Sequence, residues 1–153
     1  DLVANFEASP QVANNSAELH GVLRTANGTV ELAAGDSDDN DIVMLAPIPS
    51  NASVTSLFIG SDSLGGSCTF NVGIYTTAGV VKDEDVFATL VADGAAMTDV
   101  RFEAANIDTA GQKMYELAGD STDPGGYYYI AATMSAAGGT AGTMSWNITY
   151  VVN

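Results

Sequence analysis

Cysteine and histidine are almost missing from this sequence of 153 residues: Cys68 and His20 each stand alone. A lone cysteine excludes an intrachain disulfide and any thiolate metal cluster. Cys68 alternates in phase with Phe70, Val72 and Ile74, which predicts a small buried hydrophobe, not a reactive thiol. A lone histidine excludes a His-rich zinc site, and His20 is read as structural or exposed. No Gly-x-Ser-x-Gly elbow surrounds any serine. Cations are equally scarce. Four Lys and Arg stand against nineteen Asp and Glu, a formal charge of -15, which repels phosphate backbones and anionic bilayers alike. Neither nucleic acid nor membrane is an expected partner. Arg24, Lys82, Arg101 and Lys113 are scattered and form no local basic patch. No apolar run reaches about eighteen residues, and no basic stretch leads into an apolar one at the start, so no membrane span or signal peptide is expected.

What is present can build a core. Apolar residues make up 46% and charged ones only 15%, which separates this acidic chain from a disordered one and fits a single domain. The last stretch alternates Met144, Trp146, Ile148, Tyr150 and Val152 with mostly polar residues, the period of a half-buried strand. It follows a second alternating run, Tyr128, Ile130, Ala132 and Met134, across a small-residue loop at 135–142. The expectation is two neighbouring antiparallel strands. Similar strands are expected at 42–46, closed by Pro47 and Pro49, at 52–59, at 68–75 and at 99–104. Asn27 and Gly28 read as the turn of a hairpin between 19–26 and 29–33. Residues 83–91 read as a short helix, with Val86, Leu90 and Val91 on one face, and 111–117 as a strand or a loose turn. Asp123, Pro124, Gly125 and Gly126 form a strong turn. Short strands separated by Gly, Pro, Ser and Asp clusters define an all-β sandwich or barrel over 19–153. Residues 1–18, interrupted by Pro10, read as an extended N-terminal arm that lays Phe6 and Val12 on a neighbouring subunit.

Asp36, Asp38 and Asn40 open like a calcium loop. Asp41 then stands where the turn glycine belongs and Pro47 where the closing glutamate belongs, so a solvated acidic loop is expected. No cofactor and no catalytic residue is predicted. Asn14, Asn27, Asn51 and Asn147 start glycosylation sequons by the abundance of Asn, Ser and Thr. Trp146 with Tyr127, Tyr128, Tyr129 and Tyr150 offers a sugar-stacking face in principle, but its phase with Met144 and Ile148 places it in the core.

Gly111, Gln112, Lys113, Met114, Tyr115, Glu116, Leu117 and Gly119, then Asp123, Pro124, Gly125, Gly126, Tyr127 and the two closing strands, resemble a pattern of small structural proteins of tailed bacteriophages. Across 19–152 the chain is similar to capsid decoration or cement proteins. That resemblance implies an antiparallel β-sandwich of jelly-roll type and a non-enzymatic virion protein on the outer surface of the capsid. It implies the major capsid protein as partner, and a homotrimer at local three-fold axes. A tail or fibre component, or a carbohydrate-binding sandwich, are the alternatives.

Overall fold

Alternation of apolar and polar side chains puts one set of residues on a buried face, and the described residues form eight strands. The computed structural model describes residues 22–103 and 107–152; the arm with Phe6 and Val12, and His20, lie outside them. The strands are β1 (Val22–Leu32), β2 (Ile42–Pro49), β3 (Ala52–Ser61), β4 (Thr69–Tyr75), β5 (Val81–Ala92), β6 (Thr98–Asp99), β7 (Tyr127–Ala136) and β8 (Gly142–Val152). A 3-10 turn (Ile107–Gly111) and a one-turn helix α1 (Met114–Leu117) precede β7. Pairing runs β1 with β8, β2 with β7, β3 with β6 and β4 with β5, all antiparallel. The chain is thus one long two-stranded ribbon, folded over into the sheets β1-β8-β3-β6 and β2-β7-β4-β5. That is the eight-stranded jelly roll. Between the sheets pack Leu57, Ile59, Phe70, Val72, Ile74, Phe87, Ile130, Met134, Met144 and Ile148, all buried. Trp146 is 8% exposed and Cys68 is buried among them, as their phase predicts; burial pushes the Cys68 thiol up.

The closing strands depart from expectation. β7 and β8 are not neighbours: each is an interior strand of a different sheet, and their alternating faces meet across the core. Asn27 and Gly28 make no hairpin either. They lie within the single strand β1, where Gly28 is opposite Trp146. A Cβ on Gly28 would come within 2.4 Å of the indole Cζ2, so the glycine serves close approach, not a turn. Pro47 does not end its strand, which runs on to close at Pro49; β2 is a sheet edge, the place where proline's missing N–H is harmless.

The predicted helix at 83–91 is part of β5. Between β4 partners Val72 and Ile74 stands one residue, Gly73, whereas between their partners Ala88 and Asp83 stand Glu84, Asp85, Val86 and Phe87. The surplus arches over the outer face of β4, against the bare α-carbon of Gly73. Asn71 holds both feet of the arch: its Nδ2 donates to Glu84 Oε1 at 3.3 Å and its Oδ1 accepts from the Leu90 N–H at 2.9 Å. The expected strand at 99–104 shrinks to the two residues of β6 followed by a turn, in which the Glu103 N–H reaches the Val100 carbonyl. For 111–117 the loose-turn alternative holds.

Candidate interaction surfaces

Residues that carry the sequence resemblance meet at one end of the sandwich. The Ser50 turn between β2 and β3 accepts from the Tyr115 N–H at 3.0 Å and donates its own N–H to Gly126 at 2.9 Å. Asp123 Oδ1 accepts from the Gly125 N–H at 2.8 Å. Hydrogen bonds from Ser50 and then Gly125 hold its carboxyl below the ordinary range. Beside this turn lies a cleft of about 420 Å³ lined in part by Thr76, Lys82, Asp120, Tyr127 and Tyr128. Lys82 Nζ donates to both Asp120 oxygens at 2.8 and 3.1 Å, and the Tyr128 hydroxyl donates to Asp120 Oδ2. The Lys82 bond, then the Tyr128 bond, lowers the Asp120 carboxyl. Burial first, then Asp120, pushes the Tyr128 phenol up to about 12.

The sign of that shift gives a test. A phenol raised in the folded state keeps its proton after the unfolded chain, titrating at 10.0, has lost it, so the unfolded state binds fewer protons and stability falls as pH rises from 10 to about 12. Tyr128→Phe is expected to remove this fall, on the order of 2 kcal/mol, from urea denaturation curves measured across that window. An unchanged alkaline limb would count against the assignment.

The opposite end is acidic. The β1–β2 loop, which carries Asp36, Asp38, Asn40 and Asp41, bonds to the β7–β8 loop through the Gly138 N–H and the Ser37 carbonyl. Thr140 N–H in turn reaches Leu64 O, and Leu64 N–H reaches Asp93 Oδ2 at 2.6 Å. Asp62 and Asp93 thereby join the aspartates of residues 36–41. Asp36 Oδ2 accepts from the Ala33 N–H and Asp41 Oδ2 from the Asp38 N–H, each at 2.9 Å, while Asn40 takes φ +70°. These carboxylates fold back on their own loop. Among the described residues no three His, Cys, Asp or Glu side chains are arranged to hold a metal ion.

A third surface escaped the sequence reading. Leu90, 61% exposed, has φ +51°, a left-handed backbone that bulky residues rarely take. The Thr89 N–H donates to Glu103 Oε2 at 2.7 Å, which brings the turn with Phe102 alongside. Phe102 and Met97 are also exposed. Behind Phe102 the fully buried Arg101 lies with its guanidinium carbon 4.5 Å from that ring centroid and 5.1 Å from that of Phe87. Its Nε donates to the Val54 carbonyl at 2.9 Å and its Nη2 to the Thr109 carbonyl at 3.1 Å. Burial brings its pKa down to about 10, with Asp99 opposing. Nothing in a single sequence marks Leu90 as exposed or Arg101 as internal.

Fold and surfaces define a class: a jelly roll with an acidic end and exposed apolar side chains on one side. No protein-family model and no curated protein matches the chain. Its fold is similar to a chain of the Cyanophage Pam1 capsid asymmetric unit, at 14% identity and TM-score 0.53, over 92% of this chain and 99% of that one. A chain of the capsid of Ralstonia phage GP4 aligns at 16% identity and TM-score 0.49 over 88% and 85% of the two chains. One from the capsid of Helicobacter pylori bacteriophage KHP30 gives 14% and 0.43 over 87% and 90%. At such identities the Pam1 likeness establishes the fold.

Proposed function

We propose that this chain is a non-enzymatic virion protein that binds the shell of a phage capsid on its outer surface and stabilises it, as a cement or decoration protein. One observation carries the reading: the jelly roll aligns with nearly the whole of a chain from a phage capsid, 99% of it, so a free-standing sandwich of this size has a precedent in a shell. The sequence resemblance at 111–127 points the same way. Net charge of -15 keeps free copies soluble and apart before assembly. The major capsid protein is the proposed partner. The arm of residues 1–18 grips neighbouring subunits through Phe6 and Val12, and copies gather as trimers at local three-fold axes. Leu90 and Phe102, with Glu103 beside them, fit a shell surface that offers an apolar recess and cations. The sugar-stacking alternative loses its centre with Trp146 in the core.

Heads lacking this protein, mixed with the purified chain, are expected to take it up to saturation and to withstand a higher temperature. Leu90→Gly is expected to keep or raise the melting temperature, because glycine is at home at φ +51°, while shell binding falls at least tenfold. Finding the chain only in tails, or absent from purified particles, defeats the reading.

A further inference from the structure

The two sheets have four edge strands, and three are guarded against pairing with another chain. β6 has two residues. β2 carries Pro47, Pro49 and a register break between Met44 and Ala46. β5 carries Lys82, Asp83, Glu84 and Asp85 and three register breaks against β4. Shortness, proline, charge and bulges are the usual guards of an edge. β1 has none of these breaks. It runs eleven residues without proline, in unbroken register from Val22 opposite Val152 to Leu32 opposite Gly142. Its other side is unpaired among the described residues. Val22 and Leu23 stand 66% and 64% exposed at its start. In a chain of charge -15, this strand holds one Arg24 and one Glu31 and is neutral.

We propose that β1 is a self-association edge, which pairs antiparallel with β1 of a second copy about a two-fold axis through Asn27. Ala26, Val30 and Leu32 point into the core, so only registers that set inward residues opposite inward residues keep the faces matched. Of these, the one centred on Asn27 pairs the whole strand. It places Val22 opposite Leu32, Arg24 opposite Val30 and Thr25 opposite Thr29 of the second copy, with no like charges facing. Charge complementarity supports this occupant. Val30 and Leu32 line a cleft of about 480 Å³ whose walls include Asp36, Asp41 and Ile42. Arg24, on the inward face and without a salt bridge among the described residues, enters the second copy's cleft from across the axis. Symmetry forms this contact twice. The contact requires no capsid and stands apart from the role proposed above.

Asn27 is exposed, and Cys68, the sole cysteine, is buried, so the full-length chain with Asn27→Cys is a clean probe. Directly opposite antiparallel residues lie about 4.5–5.5 Å apart at Cα, within disulfide reach. Mild oxidation is expected to convert most of this variant into a covalent dimer, and Thr77→Cys, on an exposed turn, to give little. Asn27→Lys, which sets like charges face to face, is expected to shift the sedimentation of the unmodified assembly to smaller species while leaving the far-ultraviolet circular dichroism of the folded subunit unchanged. Equal cross-linking at both cysteine positions, or none at Asn27→Cys in the folded protein, overturns the proposal. Cross-linking that appears only after residues 1–21 are deleted gives the edge to the chain's own N-terminal segment and overturns it too.

Discussion

Gly73→Ala is expected to be among the most damaging single-methyl changes in this protein. The added Cβ would stand 2.1 Å from the Asp83 carbonyl oxygen, 2.2 Å from the Glu84 carbonyl carbon and 2.5 Å from its Cα. All three are backbone atoms, so no rotamer change relieves the overlap. The β5 arch has to lift off β4, which separates Asn71 from Glu84 and uncovers Tyr75, whose hydroxyl is hydrogen-bonded to Thr133 on the same outer face. A cost above about 3 kcal/mol is expected, a fall of roughly 10 °C in melting temperature for a domain this size. Gly35→Ala is the control, since nothing lies within 4 Å of the added atom; it is expected to stay within about 0.5 kcal/mol. Circular dichroism melts compare the two directly. Equal melting temperatures would show that the arch does not rest on Gly73.

Arg101 commands the second large effect. Its side chain fills the space between Phe87 of one sheet and the turn after β6 in the other, and ties down the Val54 and Thr109 carbonyls. Truncation to alanine leaves a cavity and removes both donors, a loss of about 4 kcal/mol or more. Arg101→Met keeps most of the volume and forfeits only the hydrogen bonds and the stacking. Burial already holds the guanidinium down to about 10, so its charge opposes folding, and methionine removes that opposition. The expected cost is about half that of alanine. Urea midpoints of the two variants decide between volume and charge. Should Arg101→Met unfold the protein as fully as Arg101→Ala, the hydrogen bonds outweigh the packing.

Strands were legible where large apolar side chains recur at every second residue, Tyr128 to Met134, Met144 to Val152 and Phe70 to Ile74, although only the last strand also alternates in burial: Asn71, Ala131 and Thr133, between the apolar positions, are buried too. What escaped depends on contacts far along the chain. Asn27 and Gly28 carry turn chemistry by local rules, yet the Trp146 ring on the glycine is what uses it. Val86, Leu90 and Val91 copy a helical period because an arch interrupts strand alternation. The sheet assignment of the closing strands was equally hidden, since alternation reports a buried face and not a neighbour. At the surfaces, the aspartates of residues 36–41 were visible as a loop, but Asp62 and Asp93 reach it only through the fold. The cleft of Lys82, Asp120 and Tyr128 is assembled by β5, the connection before β7, and β7 itself.

The doubled-back ribbon also sets the order in which the domain can come into being. Its last two strands each supply one interior strand of a sheet, so a chain emerging from the ribosome holds β1, β2 and β3 without their main partners until residues 127–152 arrive. Among the described strands only the β4–β5 and β3–β6 pairs are available earlier. Closing such distant pairs is entropically slow. The domain therefore folds late and as a unit, and loss of β8 strands both β1 and β3 at once.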